Sequence, residues 1–420
     1  MGRTIKNRRV REPTPVKKIE LSDENVRRRL IAAALFLIIG VSLLVYCFVN
    51  FLSPGNGWNT INANRTVSNS PDFVFQYYLG GGGLSASAEN KALTALYNEY
   101  TEKAYRLFDH QTAYENVNNL YTLNSRPNEE ITVDTALYDM FTAFQQHNSR
   151  YLYMAPICDR YDNVFFCDGD EALKDFDPLS SEEIKQEYSR TAAYVNDPEM
   201  IDVKLLGDNK VILFVSEEYL KYAEEEGITE FIGLSWLQNA FEADYLADCM
   251  ISRGYTLGSI SSYDGFIRNM DSTSGTDYSF NIFDRDGDKV YQAGLMQYKN
   301  NISIVYLRNY MMNSLDFQHY YQMRSGEIRH PYLDTVDGIP KASLNNLVLY
   351  SKDSGCGDIL LESIPVYISD KFEQDDLSGL KEKGIYSVYC QNHTIMYNDP
   401  ELTIGELYNM DGVEYKTQLF

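Results

Sequence analysis

Apolar residues recur at helical spacing between Ala88 and Phe108. Leu93, Leu96, Tyr100, Ala104 and Leu107 fall on one face, which predicts a helix of about 20 residues. The same period predicts helices over Thr132–His147, Glu217–Glu226 and Trp236–Arg253. Runs of β-branched and aromatic residues predict strands at Phe73–Tyr78, Lys210–Val215, Tyr278–Phe283, Lys289–Ala293, Ile302–Tyr306 and Leu347–Tyr350. Helices and strands mix without a strict βαβ rhythm and no repeat of fixed period occurs, so an α+β fold with mixed sheets is expected. Gly80–Gly83 suggests a phosphate cradle, but no GK[ST] follows, and the segment reads as a hairpin turn after its strand. Asp284-Arg285-Asp286-Gly287-Asp288 begins like a calcium loop. Ala293 stands where the closing Glu belongs, so a hairpin turn is expected there too.

One stretch breaks the alternation. Leu30 to Leu52 carries no charge over 23 residues. At about 1.5 Å per residue such a helix spans a bilayer core of about 30 Å. Residues 1–29 hold ten Lys or Arg against four acids, a net of +6, whereas the chain as a whole carries −23. Arg27, Arg28 and Arg29 abut the apolar stretch, and the positive-inside rule keeps that end in the cytoplasm. The expected order is a basic cytoplasmic tail (1–29), a transmembrane helix (30–52), a polar linker rich in Ser, Asn, Gly and Pro (53–72) and an extracellular domain (73–420). The stretch exceeds the apolar region of a signal peptide and no small-x-small cleavage site follows, so a single-pass, uncleaved anchor in the cell membrane is expected. Membrane lipid is then one partner. The acidic balance of the rest excludes nucleic acid.

The candidate chemistry is sparse. Six Cys occur, with one in the apolar stretch and an odd five beyond it, and no CxxC or Cys/His cluster suggests zinc. Neither HExxH nor GxSxG occurs. Ser354-Gly355-Cys356-Gly357-Asp358-Ile359-Leu360-Leu361-Glu362 reads as a loop entering a helix, with Asp358 and Glu362 one turn apart on one face. Two hard oxygen donors there suit Mg²⁺; the plainer alternative is a capping Asp358 and a solvated Glu362.

Ser314-Leu315-Asp316-Phe317-Gln318-His319-Tyr320-Tyr321, then Ser325 to Asp334 and Gly338-Ile339-Pro340, then Ser354 to Glu362, resemble in order and spacing the motifs of the FAD:protein FMN transferase (ApbE) family: SGDYERYF, a HIIDPxTGxP segment and an ADaLsTal helix. Upstream, Arg106–Asp109 and Asn118–Asn124 look like the family's LFdxY…NNLxxiN segment, and Phe231–Asp244 falls at its DLGGIAKGYAxD helix start. The resemblance covers roughly residues 73–420. It implies an ApbE-like domain, Mg²⁺ and FAD as cofactors, and transfer of FMN to a Thr of an extracytoplasmic flavoprotein.

Carried across position by position, the resemblance makes Asp358 and Glu362 metal ligands, with Trp236 supplying a backbone ligand, and places Gly233, Asn239, His330 and Asp334 at the flavin. Several family residues are replaced. Glu362 stands for a Thr, Asn239 for a Lys, Gly233 for an Asp, and Pro331 for the motif His, with His330 one place early. Asp244, Asp334, Gly338 and Pro340 are kept. Losing the Lys removes positive charge that a reacting pyrophosphate needs. The sequence therefore reads as a divergent member degenerate at the flavin and metal site, with weak divalent-metal binding expected at Asp358. The alternatives are an active FMN transferase or a non-catalytic cell-surface binding or scaffold module. Asp271-Ser272-Thr273-Ser274-Gly275-Thr276-Asp277 is near the family's acceptor motif, but Asp277 holds the place of the modified Thr, so the segment is expected to be a loop without covalent flavin.

Overall fold

Every residue of the strand Ile302–Arg308 is buried. Side chains alternate across a strand, and here Val305 and Leu307 enter one apolar cluster while Ile304 and Tyr306 enter another. The neighbouring strand Asn346–Ser351 divides in the same way, with Leu347 and Leu349 on one side and Val348 and Tyr350 on the other. A sheet apolar on both faces must be covered on both, and that requirement organises the molecule.

The computed structural model describes residues 55–420 except 64–71, 82, 274, 313 and 411. The expected tail and transmembrane helix lie outside the described residues. Among the described residues no helix is long and apolar enough to cross a membrane.

The central sheet has nine strands in the order Gly57–Ile61, Phe73–Leu79, Gly258–Ser262, Phe266–Asn269, Ile302–Arg308, Asn346–Ser351, Tyr386–Gln391, Thr394–Tyr397 and Lys416–Leu419. Neighbours are antiparallel, and only the last pair runs parallel. One face is covered by helices α1 (Ala86–Phe108), α3 (Gln238–Ser252) and α4 (Cys356–Tyr367), with α2 (Thr135–Gln146) packed beside α4. The hairpin Tyr278–Asp286/Lys289–Tyr298, extended by Thr403–Leu407, contributes Ile282, Tyr291, Ala293 and Met296 to the other cluster. A separate small sheet pairs Lys210–Val215 with Glu130–Thr132 and Ile201–Gly207.

The α+β expectation therefore holds, and Asp286–Lys289 closes a hairpin as expected. Residues 271–277 form a loop over the residues described. Two expectations need correction. Gly80–Gly83 is not a hairpin turn, because it joins the strand Phe73–Leu79 to α1. Glu89, in the first turn of α1, takes the Gly80 N–H at 2.6 Å. The expected linker is also partly folded. Gly57–Ile61 pairs with Phe73–Leu79, held by buried Ile61 and by Trp58 stacked edge-on against Tyr78 and Tyr278.

Candidate functional site

Four connections meet at one end of the central sheet and enclose a cavity of about 340 Å³. Asp72 stands just before one strand, and Tyr263 and Asp264 form the turn between two others. That turn requires Gly265: its φ is +115°, and a Cβ there would lie 2.5 Å from the Tyr306 carbonyl oxygen. Arg308 ends the central strand, and Asp316 to Tyr320 and Pro331-Tyr332 close the far side. Trp236 and Asn239, at the start of α3, form the floor. The walls are aromatic, with Trp236, Tyr263, Phe266, Phe317, Tyr320 and Tyr332 among them.

The charges in this cavity do not suit a pyrophosphate. Asp72, Asp264 and Asp316 line it against Arg308 and His319. Arg308 is already paired with Asp316 at 3.0 Å. Asn239 donates to Asp264 at 2.8 Å. Partial burial, then the neighbouring Asp264 carboxylate, push the Asp72 carboxyl above its ordinary range, and His319 opposes them.

Asp358 and Glu362 lie on α4 one turn apart, as expected, but a third side chain stands between them. His147 Nε2 is 2.9 Å from Asp358 Oδ1, and its Nδ1 is 2.9 Å from Glu362 Oε1. The second Glu362 oxygen takes Lys383 Nζ at 2.6 Å. A carboxylate only accepts, so two carboxylates on one ring call for the doubly protonated imidazolium. Asp358 foremost, together with Glu362 and against some burial, raises the His147 pKa. For Glu362 burial works the other way, but Lys383 and His147 more than offset it and the pKa falls. Helix dipoles add to this. His147 is the C-cap of α2 and Asp358 lies in the first turn of α4, so each charge sits at the helix end that favours it. With Lys383, the cluster holds two positive and two negative charges. It leaves no net negative charge and, of its four carboxylate oxygens, only the outer one of Asp358 for Mg²⁺, which wants about six oxygen ligands. Among the described residues no group of three or more His, Cys, Asp or Glu is arranged to hold a metal. The donor set does not fit the implied ion.

Of the remaining expected residues, Trp236 and Asn239 share the aromatic cavity, and Gly233, His330 and Asp334 are not part of its lining. Trp236 lines the aromatic cavity and gives its Nε1–H to Tyr151 at 2.7 Å, whereas Asp358 lines two other clefts. Gly233 is packed where a Cβ would meet Ala155 and the His110 ring. His330 keeps a buried Nδ1 without a partner, and burial pushes its imidazole down to about 4. Asp334 binds Lys341 at 2.7 Å and shapes its own turn by accepting from the Val336 N–H.

The fold depends on two further residues, Asn124, which the sequence marks only as the end of a resembled motif, and Arg268, which nothing in the sequence marks. Asn124 reaches across 108 positions to clamp the segment before Gly233, accepting from Phe231 and Ile232 N–H and donating to Ile232 O. Arg268, buried to 11% exposure, grips Asp244 at 2.5 Å and Asp248 at 2.9 Å. Asp244 in turn accepts the Cys356 and Gly357 N–H groups at 2.8 Å each, which caps α4 from another helix. A Cβ on Gly355 would fall 2.5 Å from that carboxylate. The helix end that would otherwise be free to hold an anion is thus already occupied.

This arrangement of sheet and helices is the ApbE fold. The chain is similar to the ApbE protein of Thermotoga maritima, with a TM-score of 0.53 and 9% identity over 79% of this chain and 94% of that one. It is similar also to the flavin transferase ApbE of Vibrio cholerae, with a TM-score of 0.52 and 12% identity over 81% of this chain and 94% of that one. No family model and no curated protein matches the sequence. At such identities the likeness establishes the fold, and the activity has to be argued from the site.

Proposed function

We propose that this chain is a membrane-anchored protein of the ApbE fold, divergent and degenerate at its flavin and metal site, that acts outside the cytoplasm as a binding module rather than as an FMN transferase. One observation carries the reading: His147 and Lys383 pair with three of the four oxygens of the carboxylates that the resemblance implies for the metal and neutralise their charge. The capped start of α4 and the acidic cavity support it, because each withholds what a dinucleotide's phosphates would need. The weak metal binding expected from the sequence is withdrawn on this account. Titration of the full chain in detergent micelles with millimolar Mg²⁺, followed by calorimetry, is expected to give only the heat of dilution. Saturable heat that Asp358→Ala removes would contradict the reading.

The anchor rests on the sequence. Ten basic residues precede 23 uncharged ones, so the N-terminus is cytoplasmic and the folded domain extracellular. Protease added to intact cells should remove the domain and leave the tail. A mature N-terminus between residues 50 and 72 would show cleavage instead.

A further inference from the structure

The cavity between Asp72, Trp236 and Tyr320 is left without a task once FMN transfer is set aside. Its volume of about 340 Å³ lies at the small end of ligand cavities, which run from about 300 to 1000 Å³. Its mouth carries two large exposed rings, Tyr263 at 63% and Phe317 at 47% exposure. Aromatic faces left open beside a polar cavity are the surface on which a cation or a flat ring is held.

The charge decides between those occupants. Asp316 offsets the charge of Arg308, accepting from its Nη2–H at 3.0 Å, while the buried Arg308 Nε–H has no partner. That leaves Asp72 and Asp264, near enough to raise the Asp72 pKa together with burial, and His319 beside them. Asn239 serves Asp264 with a neutral amide. Asp264 Oδ1 is buried without a partner, so this carboxylate is not fully satisfied within the protein. An anion entering here would meet two carboxylates. A positive group would relieve their mutual repulsion and lie among ring faces.

We infer that this cavity binds a small aromatic amine-bearing cation, its ammonium set toward Asp72 and Asp264 and its ring among Tyr263, Phe317 and Trp236. The inference rests on the reading of the fold as a binding module and names the ligand class of that module. No covalent step is involved.

Calorimetry on the full chain in detergent tests it with tyramine, with its anionic counterpart 3-(4-hydroxyphenyl)propionate, and with FMN. Tyramine is expected to give saturable binding. The propionate and FMN should bind at least about tenfold more weakly, and Asp264→Asn should weaken tyramine by about tenfold. Thermal melts establish that the variant is folded. If it is not, Phe317→Ala, at the exposed mouth, is expected to weaken tyramine in the same direction. Absence of tyramine binding, equal or tighter binding of the propionate or FMN, or variants indistinguishable from wild type would each overturn the inference. Release of AMP from FAD is followed on the same preparation. AMP formation would overturn the binding-module reading itself, whereas failed tyramine binding without AMP would overturn the ligand class alone.

Discussion

Asp244→Ala is expected to cost about 4 kcal/mol of folding stability. Breaking one partner out of a buried ion pair costs roughly 3–5 kcal/mol because the other charge stays buried; here that charge keeps only Asp248, which is 66% exposed and screened by solvent. That other charge is Arg268, which is only 11% exposed. Burial opposes the guanidinium charge, but Asp244 and Asp248 beside it more than compensate, and its pKa is pushed up. The same substitution uncaps α4, since the Cys356 and Gly357 N–H groups lose their acceptor. A lost cap alone is worth about 1 kcal/mol. Against a typical total of about 5–15 kcal/mol this brings the domain close to unfolding. Asp244→Asn, which keeps an acceptor for the helix but not the charge, should cost about half as much. Urea denaturation measures both, and an alanine variant within about 1 kcal/mol of wild type would remove Asp244 from its structural role.

His147→Ala is expected to destabilise by about 2 kcal/mol and to make the protein sensitive to divalent metal. The loss is smaller than for a fully buried pair because Asp358 is 45% exposed and screened by solvent. Without the imidazolium, Asp358 and Glu362 face one another one helical turn apart, with Lys383 alone to compensate. Millimolar Mg²⁺ or Ca²⁺ should then raise the melting temperature of the variant and leave wild type unchanged. The effect also has a pH window. The His147 pKa is raised on folding, so its contribution is complete below about 6.5 and is lost as pH rises through the folded value. The Glu362 pKa is lowered, so its contribution is complete above about 4.5 and is lost as pH falls through the folded value. The difference between wild type and variant should therefore peak between about pH 4.5 and 6.5 and shrink toward pH 9. A difference independent of pH would mean that the ring acts by packing rather than by charge.

The sequence made the regular elements legible where the apolar period was strong. Lys210–Val215 and Glu217–Glu226 appear with the bounds their pattern predicts, and α1 begins two residues ahead of its expected start at Ala88. The sequence pattern does not mark the helices Leu120–Ser125 and Glu182–Asn196, the first because six residues hold too few turns to show a period. Gly57–Ile61 reads as linker in sequence because its Asn and Gly obscure a strand whose partner lies across the intervening segment.

The site was less legible, for a physical reason. Asp358 and Glu362 stand out as a pair because four residues separate them, which is one turn. His147 is 211 and 215 positions away from them, so nothing local marks it as their counterion. Its one sequence signal is a histidine at the predicted end of a helix, where a cation is favoured. The same holds for Asp72 and Asp264, whose adjacency exists only after the sheet has formed. That Asn239 and Glu362 depart from the resembled motifs is legible in the sequence; their partners, Asp264 for the one and His147 and Lys383 for the other, are visible only in three dimensions.

The central claim is that this ApbE fold no longer turns over FAD, and product analysis tests it most directly. The full chain in detergent is incubated with FAD and Mg²⁺, and AMP and FMN are separated by chromatography while the intact protein is weighed by mass spectrometry. The account predicts no AMP above a protein-free blank and no added FMN mass. Mg²⁺-dependent AMP formation that disappears in Asp358→Ala would contradict it.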